Sequence, residues 1–361
     1  MTRRTLIQSG MPALLSAQAP SDSFRVAITG VGSRGSGLLQ NLLKIPGVQI
    51  VAICDTTPEH LAAAAVAAEA KGHKPRLYTD YRKMLDESKD VDGVVIATPV
   101  HLHMGMSIAA LELGKNVYSE KPMAGSAEEC SVVQKAAKSA KGIYQVGFQL
   151  RHDPNHRAAI DFIHSGKPGK ILFMQGQRNG GDLQRNRDWY FDRNRSGDII
   201  VEQACHILDL MTWAVGKPPL RAMGSGGINL FKNVPPGRTS MDNYTVIYEY
   251  PDDVRLTFMH IYFDPSGFSG IKERIWCQKG AVDMATATYS PLESGAKPVK
   301  LEVAGTEDST YLSLAAFASN SKARKQPLND AESARRSTLV AILGRKAIYE
   351  QRIVNWSEVD V

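Results

Sequence analysis

The hydrophobic positions in the first 150 residues alternate between short continuous runs and longer stretches with helical spacing. Runs rich in valine and isoleucine, typical of buried parallel strands, occur at residues 25–29, 48–53, 91–97, 116–119 and 144–148. Segments with apolar helical spacing or helix-forming composition lie between them, at 38–43, 58–71, 83–88, 104–113 and 126–140. This alternation predicts an α/β fold with a doubly wound parallel sheet, whose ligands bind at the carboxyl ends of the strands.

The pattern changes after residue 150. Strand-like runs now follow one another at 171–178, 222–228, 244–250, 254–262, 271–278 and 299–303, and helical segments occur at 155–165, 201–213 and 331–352. Successive strands joined by turns predict a mostly antiparallel sheet with helices on one face. We therefore expect two domains, at residues 24–148 and 149–361.

One predicted helix carries candidate acid–base chemistry. Residues 201–213 form an apolar-periodic segment that Gly216 ends. Glu202, His206 and Asp209 are spaced at i, i+4 and i+7, which puts them on one helical face. A carboxylate one turn from an imidazole can orient the ring and raise its basicity. A buried histidine satisfied by a neighbouring acid has the same spacing, so this segment leaves both interpretations open.

Charge and composition restrict the class of partner. The 361-residue chain has a formal net charge of +6, but basic and acidic residues are interspersed. Even the arginine-rich run from Arg185 to Arg195 is broken by Asp188 and Asp192, which does not favour a nucleic-acid surface. The four cysteines lack metal-ligand spacing, so no metal site is predicted. No apolar run has the roughly 18 to 20 residues that a membrane helix needs.

The first 23 residues stand apart from both predicted domains. Arg3 and Arg4 precede a short apolar stretch that ends in Ala17-Gln18-Ala19, a pattern similar to a twin-arginine export signal. The alternative is a disordered extension on a cytoplasmic protein. We expect an exported, periplasmic protein and begin the fold at Phe24.

A glycine-rich turn joins the first strand to the first helix. Gly30, Gly32 and Gly35 form the pattern GxGxxG, which lets the backbone turn tightly and approach a pyrophosphate at the helix N-terminus. Ser33 and Arg34 lie within this turn and are further candidate contacts. An accidental glycine-rich turn is the alternative, but its placement between a strand and a helix predicts a dinucleotide site.

An acidic residue follows the second strand, where a carboxylate accepts hydrogen bonds from the adenosine ribose. Asp55 occupies this position, and its negative charge repels a 2′-phosphate, which favours NAD over NADP. Arg34 and the hydroxyls of Thr56 and Thr57 keep NADP as an alternative. The next strand ends complete the predicted cofactor site with Thr98, Pro99, His101, Glu120 and Lys121.

As an ordered set, these motifs resemble the glucose-fructose oxidoreductase, inositol dehydrogenase and MocA family of sugar oxidoreductases. The resemblance covers Phe24 to about Gly216 and includes Glu120-Lys121-Pro122, Gly147-Phe148-Gln149-x-Arg151 and Glu202-x-x-x-His206. It implies a Rossmann domain followed by an α+β substrate domain with a large open sheet. It also implies pairing through that sheet into a homodimer or homotetramer.

The resemblance further implies hydride transfer between a sugar or polyol carbon and nicotinamide. His206 would be the base, and Lys121 would donate a hydrogen bond to the same oxygen. We expect desolvation to lower the pKa of Lys121. Glu202 stands where the family most often has aspartate, so it would either orient His206 or bind a substrate hydroxyl, and Asp209 is a candidate for the same work.

Other residues are candidates for substrate contact. Arg151 would bind a hydroxyl or an anionic group, with a surface ion pair as the alternative, and Trp189 and Tyr190 would stack on a sugar face or pack the loop. Of His101 and His103, one is expected near the nicotinamide and the other in a structural role.

Export would have a mechanistic consequence, because an exported enzyme has no free NAD pool. It would hold its nicotinamide tightly and regenerate it within one catalytic cycle. The alternative function is therefore a redox-neutral glycoside hydrolase or lyase that works through a transient keto-sugar. A non-catalytic dinucleotide-binding regulator is a third hypothesis, which the pair of Lys121 and His206 disfavours, since a sensor needs no acid–base residues.

Overall fold

The structure is a computed structural model that describes residues 23–180, 188–265, 267–268 and 270–361. The predicted export signal, up to residue 22, and residues 185–187 of the arginine-rich run lie outside the described residues. The predicted fold class is confirmed: a parallel α/β domain precedes an α+β domain built on a larger, mixed sheet.

The first domain contains a six-stranded parallel sheet in the order β3-β2-β1-β4-β5-β6, the arrangement of a doubly wound dinucleotide-binding fold. Its strands are β1 Phe24–Thr29, β2 Val48–Cys54, β3 Arg76–Tyr78, β4 Gly93–Ile96, β5 Asn116–Ser119 and β6 Tyr144–Val146. Its helices are α1 Ser33–Leu42, α2 Pro58–Glu69, α3 Tyr81–Glu87, α4 His103–Glu112 and α5 Ala127–Ser139. The β1, β4 and β5 strands are almost fully buried, which explains their continuous apolar runs.

The second domain contains a sheet with nine strands in the described chain, in the order β14-β13-β12-β11-β7-β10-β9-β8-β15. The strands are β7 Ile171–Asn179, β8 Arg221–Gly227, β9 Asn243–Glu249, β10 Arg255–Ile261, β11 Gly270–Cys277, β12 Gly280–Asp283, β13 Thr288–Pro291, β14 Val299–Lys300 and β15 Val354–Asn355. Strands β7 and β10 pair in parallel, and their other described pairings are antiparallel. The helices are α6 Pro154–His164, α7 Asp188–Phe191, α8 Arg193–Ser196, α9 Cys205–Val215, α10 Ser309–Ala323 and α11 Ala331–Glu350.

Two late helices tie the domains together. Helix α10 returns to the first domain, where Phe317 packs edge-on against Phe24 and Tyr118 with ring centroids 5.7 Å apart in both pairs. Helix α11 packs against α5 of the first domain and against α9 and β8 of the second. A division at residue 148 therefore does not separate two independent cores, because residues of α10 complete the first one.

No helix in the described ranges has the length and apolar character required to cross a membrane. The four cysteines are buried and free. Among the described residues, no group of three or more His, Cys, Asp or Glu side chains is placed to hold a metal ion.

Candidate active site

A cavity of about 1230 Å³ lies at the carboxyl ends of the parallel strands. The glycine turn and the β4 and β5 strand ends line one side, and the start of the Glu202–His206 segment and the end of β7 line the other. Ligand pockets generally measure about 300–1,000 Å³. This cavity is therefore large enough for a dinucleotide together with a small substrate.

The glycine turn has the tight geometry that its sequence predicts. Gly30 has φ +79°, and a Cβ atom there would lie 2.7 Å from the Ala97 carbonyl oxygen. A Cβ atom at Gly35 would lie 1.8 Å from the Gly30 carbonyl oxygen, so both positions require glycine. Gly32 has no such clash, and it begins helix α1 without a side-chain cap at the edge of the cavity. The exposed backbone N–H groups there suit a pyrophosphate, so the turn fits a dinucleotide.

Asp55 is held at the end of β2 by two backbone groups. One carboxylate oxygen accepts from the Val31 N–H at 2.7 Å, and the other accepts from the Thr57 N–H at 2.8 Å. Arg34 points elsewhere, because its Nε donates to Glu120 at 2.8 Å. The carboxylate therefore meets the ribose end of the cavity without Arg34 beside it to favour a 2′-phosphate.

Replacing Asp55 by alanine should weaken NAD binding by about 10-fold, because the ribose loses hydrogen bonds to a charged acceptor. NADP binding should weaken less, because the change also removes a negative charge that repels the 2′-phosphate. Calorimetric titration of both nucleotides measures the two dissociation constants. Asp55→Asn is the matched control, since it keeps the side-chain shape and removes the charge. Equal losses for NAD and NADP would refute the cofactor preference.

Lys121 and Glu202 form a nearly buried ion pair inside the cavity. The Lys121 Nζ donates to the Glu202 carboxylate at 2.9 Å and to the Glu202 backbone carbonyl at 2.5 Å. Burial alone would lower the pKa of Lys121, but the carboxylates of Glu202 and Glu120 outweigh it and raise that pKa. The expectation of a lowered lysine pKa is thus wrong, because sequence spacing did not reveal the carboxylate paired with Lys121.

The predicted helix at 201–213 begins with a π-helical segment, Ile200–Ala204, and continues as α9 until the left-handed Gly216. The π segment supplies the Glu202 carbonyl oxygen to Lys121 and turns the Glu202 side chain toward the same cavity as His206. Single π-helical turns are frequent at functional sites. This local widening, which periodicity does not predict, assembles the group of Lys121, Glu202 and His206.

His206 is a neutral imidazole in this environment. Its buried Nδ1 has no partner among the described residues. Burial, and then the positive charges of Lys121, Arg178 and Arg34, hold the pKa of His206 well below its usual range. Glu202 makes no hydrogen bond to the ring in the described contacts, since one of its oxygens binds Lys121 and the other is unpartnered. One ring nitrogen is therefore unpartnered in the described chain, and the lowered pKa keeps the ring neutral.

Arg151 and Asp209 are not brought to the cavity, which corrects their prediction as substrate-binding residues. They bind each other in the core, where Arg151 Nη2 lies 2.6 Å from Asp209, and the two residues are 5% and 0% exposed. Ser337 donates to the same carboxylate at 2.5 Å. Asp209 lies about one turn beyond His206 on the same face of a buried helix. It is therefore behind the cavity wall and does not line the cavity.

Of the two aromatic residues predicted to contact the substrate, only one lines the cavity. Trp189 lines the cavity, whereas Tyr190 is buried and its hydroxyl pairs with that of Tyr262. His101 also lines the cavity. His103 is buried, with its ring nitrogens 2.8 Å from the Pro122 carbonyl oxygen and 2.9 Å from that of Thr98.

The remaining predicted cofactor residues lie where the strand-end rule placed them. Thr98 and Pro99 follow β4 on the cavity wall, and Glu120 follows β5. Glu120 accepts from Arg34 and from the Lys121 backbone N–H, so it also positions the lysine.

Some cavity residues were missed from sequence. Gln149 lines the cavity with a buried amide oxygen that has no partner in the described chain. Arg178 and Gln203 line it as a hydrogen-bonded pair, and Arg195 lies on its wall. Arg178 stands near the carboxyl end of β7, but its sheet is mostly antiparallel, so the strand-end rule for parallel sheets gave no signal for it.

Two family profiles match the chain. The profile of the oxidoreductase family with an NAD-binding Rossmann fold matches residues 24–148. The profile of the GFO/IDH/MocA C-terminal domain matches residues 156–283. Together they cover most of the two domains seen in the structure.

Individual relatives match over part of their length. Inositol 2-dehydrogenase of Salmonella typhimurium is 30% identical over 199 residues, which are 54% of this chain and 55% of that protein. Glycosyl hydrolase family 109 protein 1 of Bacteroides fragilis is 32% identical over 204 residues, which are 52% of this chain and 44% of that protein. The chain thus spans about half the length of the curated relatives it matches.

The fold also matches a solved structure over nearly its whole length. Aldose-aldose oxidoreductase from Caulobacter crescentus, complexed with glycerol, superimposes with a TM-score of 0.79 at 19% identity, covering 92% of this chain and 99% of that chain. The two matched profiles, in the order of the two domains, confirm the resemblance inferred from the motifs. The chain therefore belongs to the GFO/IDH/MocA family of oxidoreductases, with an NAD-binding Rossmann domain.

Proposed function

We propose that this protein is an NAD-dependent oxidoreductase that oxidises a CH–OH group of a sugar or polyol. One observation carries this proposal: neutral His206 and the charged Lys121–Glu202 pair share one cavity with the glycine turn. An acceptor and a donor of protons are thus positioned beside a dinucleotide site. The inositol 2-dehydrogenase among the relatives supports a polyol or sugar as substrate.

The residues divide the chemistry between them. His206, being neutral, accepts the hydroxyl proton, and the Lys121 ammonium donates a hydrogen bond to the same oxygen as negative charge develops there. Glu202 keeps Lys121 charged and in place. When bound, NAD supplies the hydride acceptor for the carbon. Trp189 lies on the cavity wall as the aromatic surface for a sugar face.

The direct test uses the purified full-length protein and a panel of sugars and polyols. Formation of NADH, followed by its absorbance, is the expected result for at least one of them. The protein should also be denatured without added cofactor, and any released nucleotide identified. Absence of NADH with every carbohydrate would contradict the net oxidation.

A redox-neutral glycoside hydrolase or lyase is the second candidate, which the match to a glycosyl hydrolase family 109 protein favours. The same residues would oxidise a sugar transiently and then return the hydride. Release of free sugar from a glycoside by protein that carries co-purified NAD, with no net NADH, would identify this reaction. This second proposal includes tight binding of NAD, because the same cofactor takes up the hydride and returns it within one cycle.

We also propose that the protein is a homodimer or homotetramer, paired through the open face of the nine-stranded sheet. Two large aromatic side chains are partly exposed on that face, Phe173 of β7 and Trp276 opposite it on β11. Phe173 and Trp276 are in ring contact, with centroids 5.9 Å apart. Contiguous exposed apolar surface favours association. Light scattering that gave the monomer mass at micromolar concentration would contradict this arrangement.

Export to the periplasm by the twin-arginine route is a further proposal, supported by Arg3 and Arg4 before a short apolar stretch. Replacing both arginines by lysine should keep the protein in the cytoplasm, as measured by cell fractionation. Equal distribution of both versions would count against the signal.

A further inference from the structure

Among the described residues, Arg178 differs from the other cations near His206 in forming no ion pair with a carboxylate. Lys121 is paired with Glu202, and Arg34 is paired with Glu120. Within the described ranges, no carboxylate forms an ion pair with Arg178, and its Nε donates to the Gln203 amide oxygen at 2.7 Å. A cation that no described carboxylate pairs with is unfavourable in a partly desolvated cavity, so a ligand that supplies negative charge would stabilise it.

The hydrogen bond between Arg178 and Gln203 determines what the pair can still bind. A guanidinium has donors only, so the Gln203 amide must turn its oxygen toward Arg178. The Gln203 NH₂ group and the terminal nitrogens of Arg178 are then left as donors. Both residues line the cavity. A subsite with donors alone matches a carboxylate, which only accepts, better than a hydroxyl, which also donates.

The subsite lies on the substrate side of the cavity. Strand β7 belongs to the second domain, whereas the glycine turn that suits the pyrophosphate belongs to the first. Gln203 belongs to the π segment, three residues before His206. A negative group at Arg178 would therefore lie close to the proposed base.

Resting on the oxidoreductase function proposed above, we propose that the substrate is a sugar acid whose carboxylate is bound by Arg178 and Gln203. The carboxylate neutralises Arg178, and the reacting hydroxyl meets His206 and Lys121. The bound anion also offsets one of the cations that hold the pKa of His206 low. Substrate charge would thus make His206 a stronger base at the moment when it is needed.

Matched pairs of ligands test the subsite on the NAD-loaded full chain. The pairs are D-glucuronate with D-glucose, D-galacturonate with D-galactose, and D-gluconate with D-glucitol. Calorimetry gives the dissociation constants, and NADH formation gives kcat/KM. At least one acid should bind about 10- to 100-fold more tightly than its neutral partner, the size expected of hydrogen bonds to a charged group.

Variants of Arg178 test whether this residue causes the tighter binding of the acids. R178Q should abolish it, and R178K should keep part of it, because lysine keeps the charge and loses the planar fork. R255Q, which removes an exposed arginine at the far end of β10, is the matched control and should behave as wild type. A preference that survives in R178Q, no preference for any of the three acids, or an R178Q effect confined to NAD binding would each overturn the subsite.

The two proposals fail in different ways. Tight binding of an acid without NADH formation would support the carboxylate subsite and contradict the net dehydrogenase. NADH formation with neutral sugars alone would support the dehydrogenase and overturn the subsite.

Discussion

Replacing His206 by alanine should lower kcat by about 10²- to 10⁴-fold, the usual contribution of a general acid–base residue, while NAD still binds. The reason is that His206 is a neutral imidazole in the cavity with a ring nitrogen that has no described partner, and that Lys121 is charged and already donates to Glu202. Steady-state kinetics on the best carbohydrate substrate measure the change. Calorimetry with NAD shows that the cofactor site is intact.

His164→Ala is the matched control for His206, because His164 lies at the end of α6 and contacts the backbone of residues 213 and 214. It should keep wild-type kcat. Lys121→Ala should lose activity like His206→Ala. Turnover that persists in both variants would exclude His206 and Lys121 as the acid–base residues, whereas a wild-type protein that turns over no carbohydrate would return the non-catalytic regulator to consideration.

Replacing Arg151 by alanine should destabilise the protein by about 3–5 kcal/mol, the cost of leaving one partner of a buried ion pair uncompensated. The Asp209 carboxylate is fully buried and would keep only Ser337 as a described side-chain partner. Denaturant unfolding measures the change in the free energy of unfolding. Arg151→Met combined with Asp209→Leu should be far milder than either single change, because no buried charge remains.

Arg221→Ala is the control, since Arg221 pairs with Glu249 at a distance of 2.7 Å on the surface and should contribute at most about 1 kcal/mol. The Arg151 variant also decides between two roles. Unchanged stability with a raised KM for the carbohydrate would restore Arg151 as a substrate-binding residue.

Local sequence patterns predicted five of the six strands of the first domain, all but the three-residue β3. Strands β1, β4 and β5 are buried on both faces, so each appears as a continuous apolar run. The glycines at 30 and 35 are required by backbone contacts within the turn and with the adjacent strand end. The GxGxxG pattern can therefore be recognised in the sequence. The strand-end rule then placed Asp55, Thr98 and Lys121 at one cavity because parallel strands end on the same edge.

The second domain was harder to predict at one edge of its sheet, where the strands are short and partly exposed. Strands β12 and β13 have four residues each and were not predicted, since their side chains are mixed and only their pairing with β11 makes them a sheet. The packing of α10 against the first domain was also not predicted from the sequence. The helix itself was not predicted, and its apolar residues do not specify which domain core it joins.

By itself, the sequence determined the fold class, the dinucleotide turn and the family, and it predicted Lys121 and His206 at one site, because each depends on local geometry or on an ordered set of motifs. Only the tertiary structure decided which charges meet. It paired Lys121 with Glu202, which reversed the expected shift of the lysine pKa, and it enclosed Arg151 with Asp209 in the core. It left Arg178 without an acidic partner in the described chain. Pairing between residues far apart in sequence depends on packing, and packing is set by the whole fold.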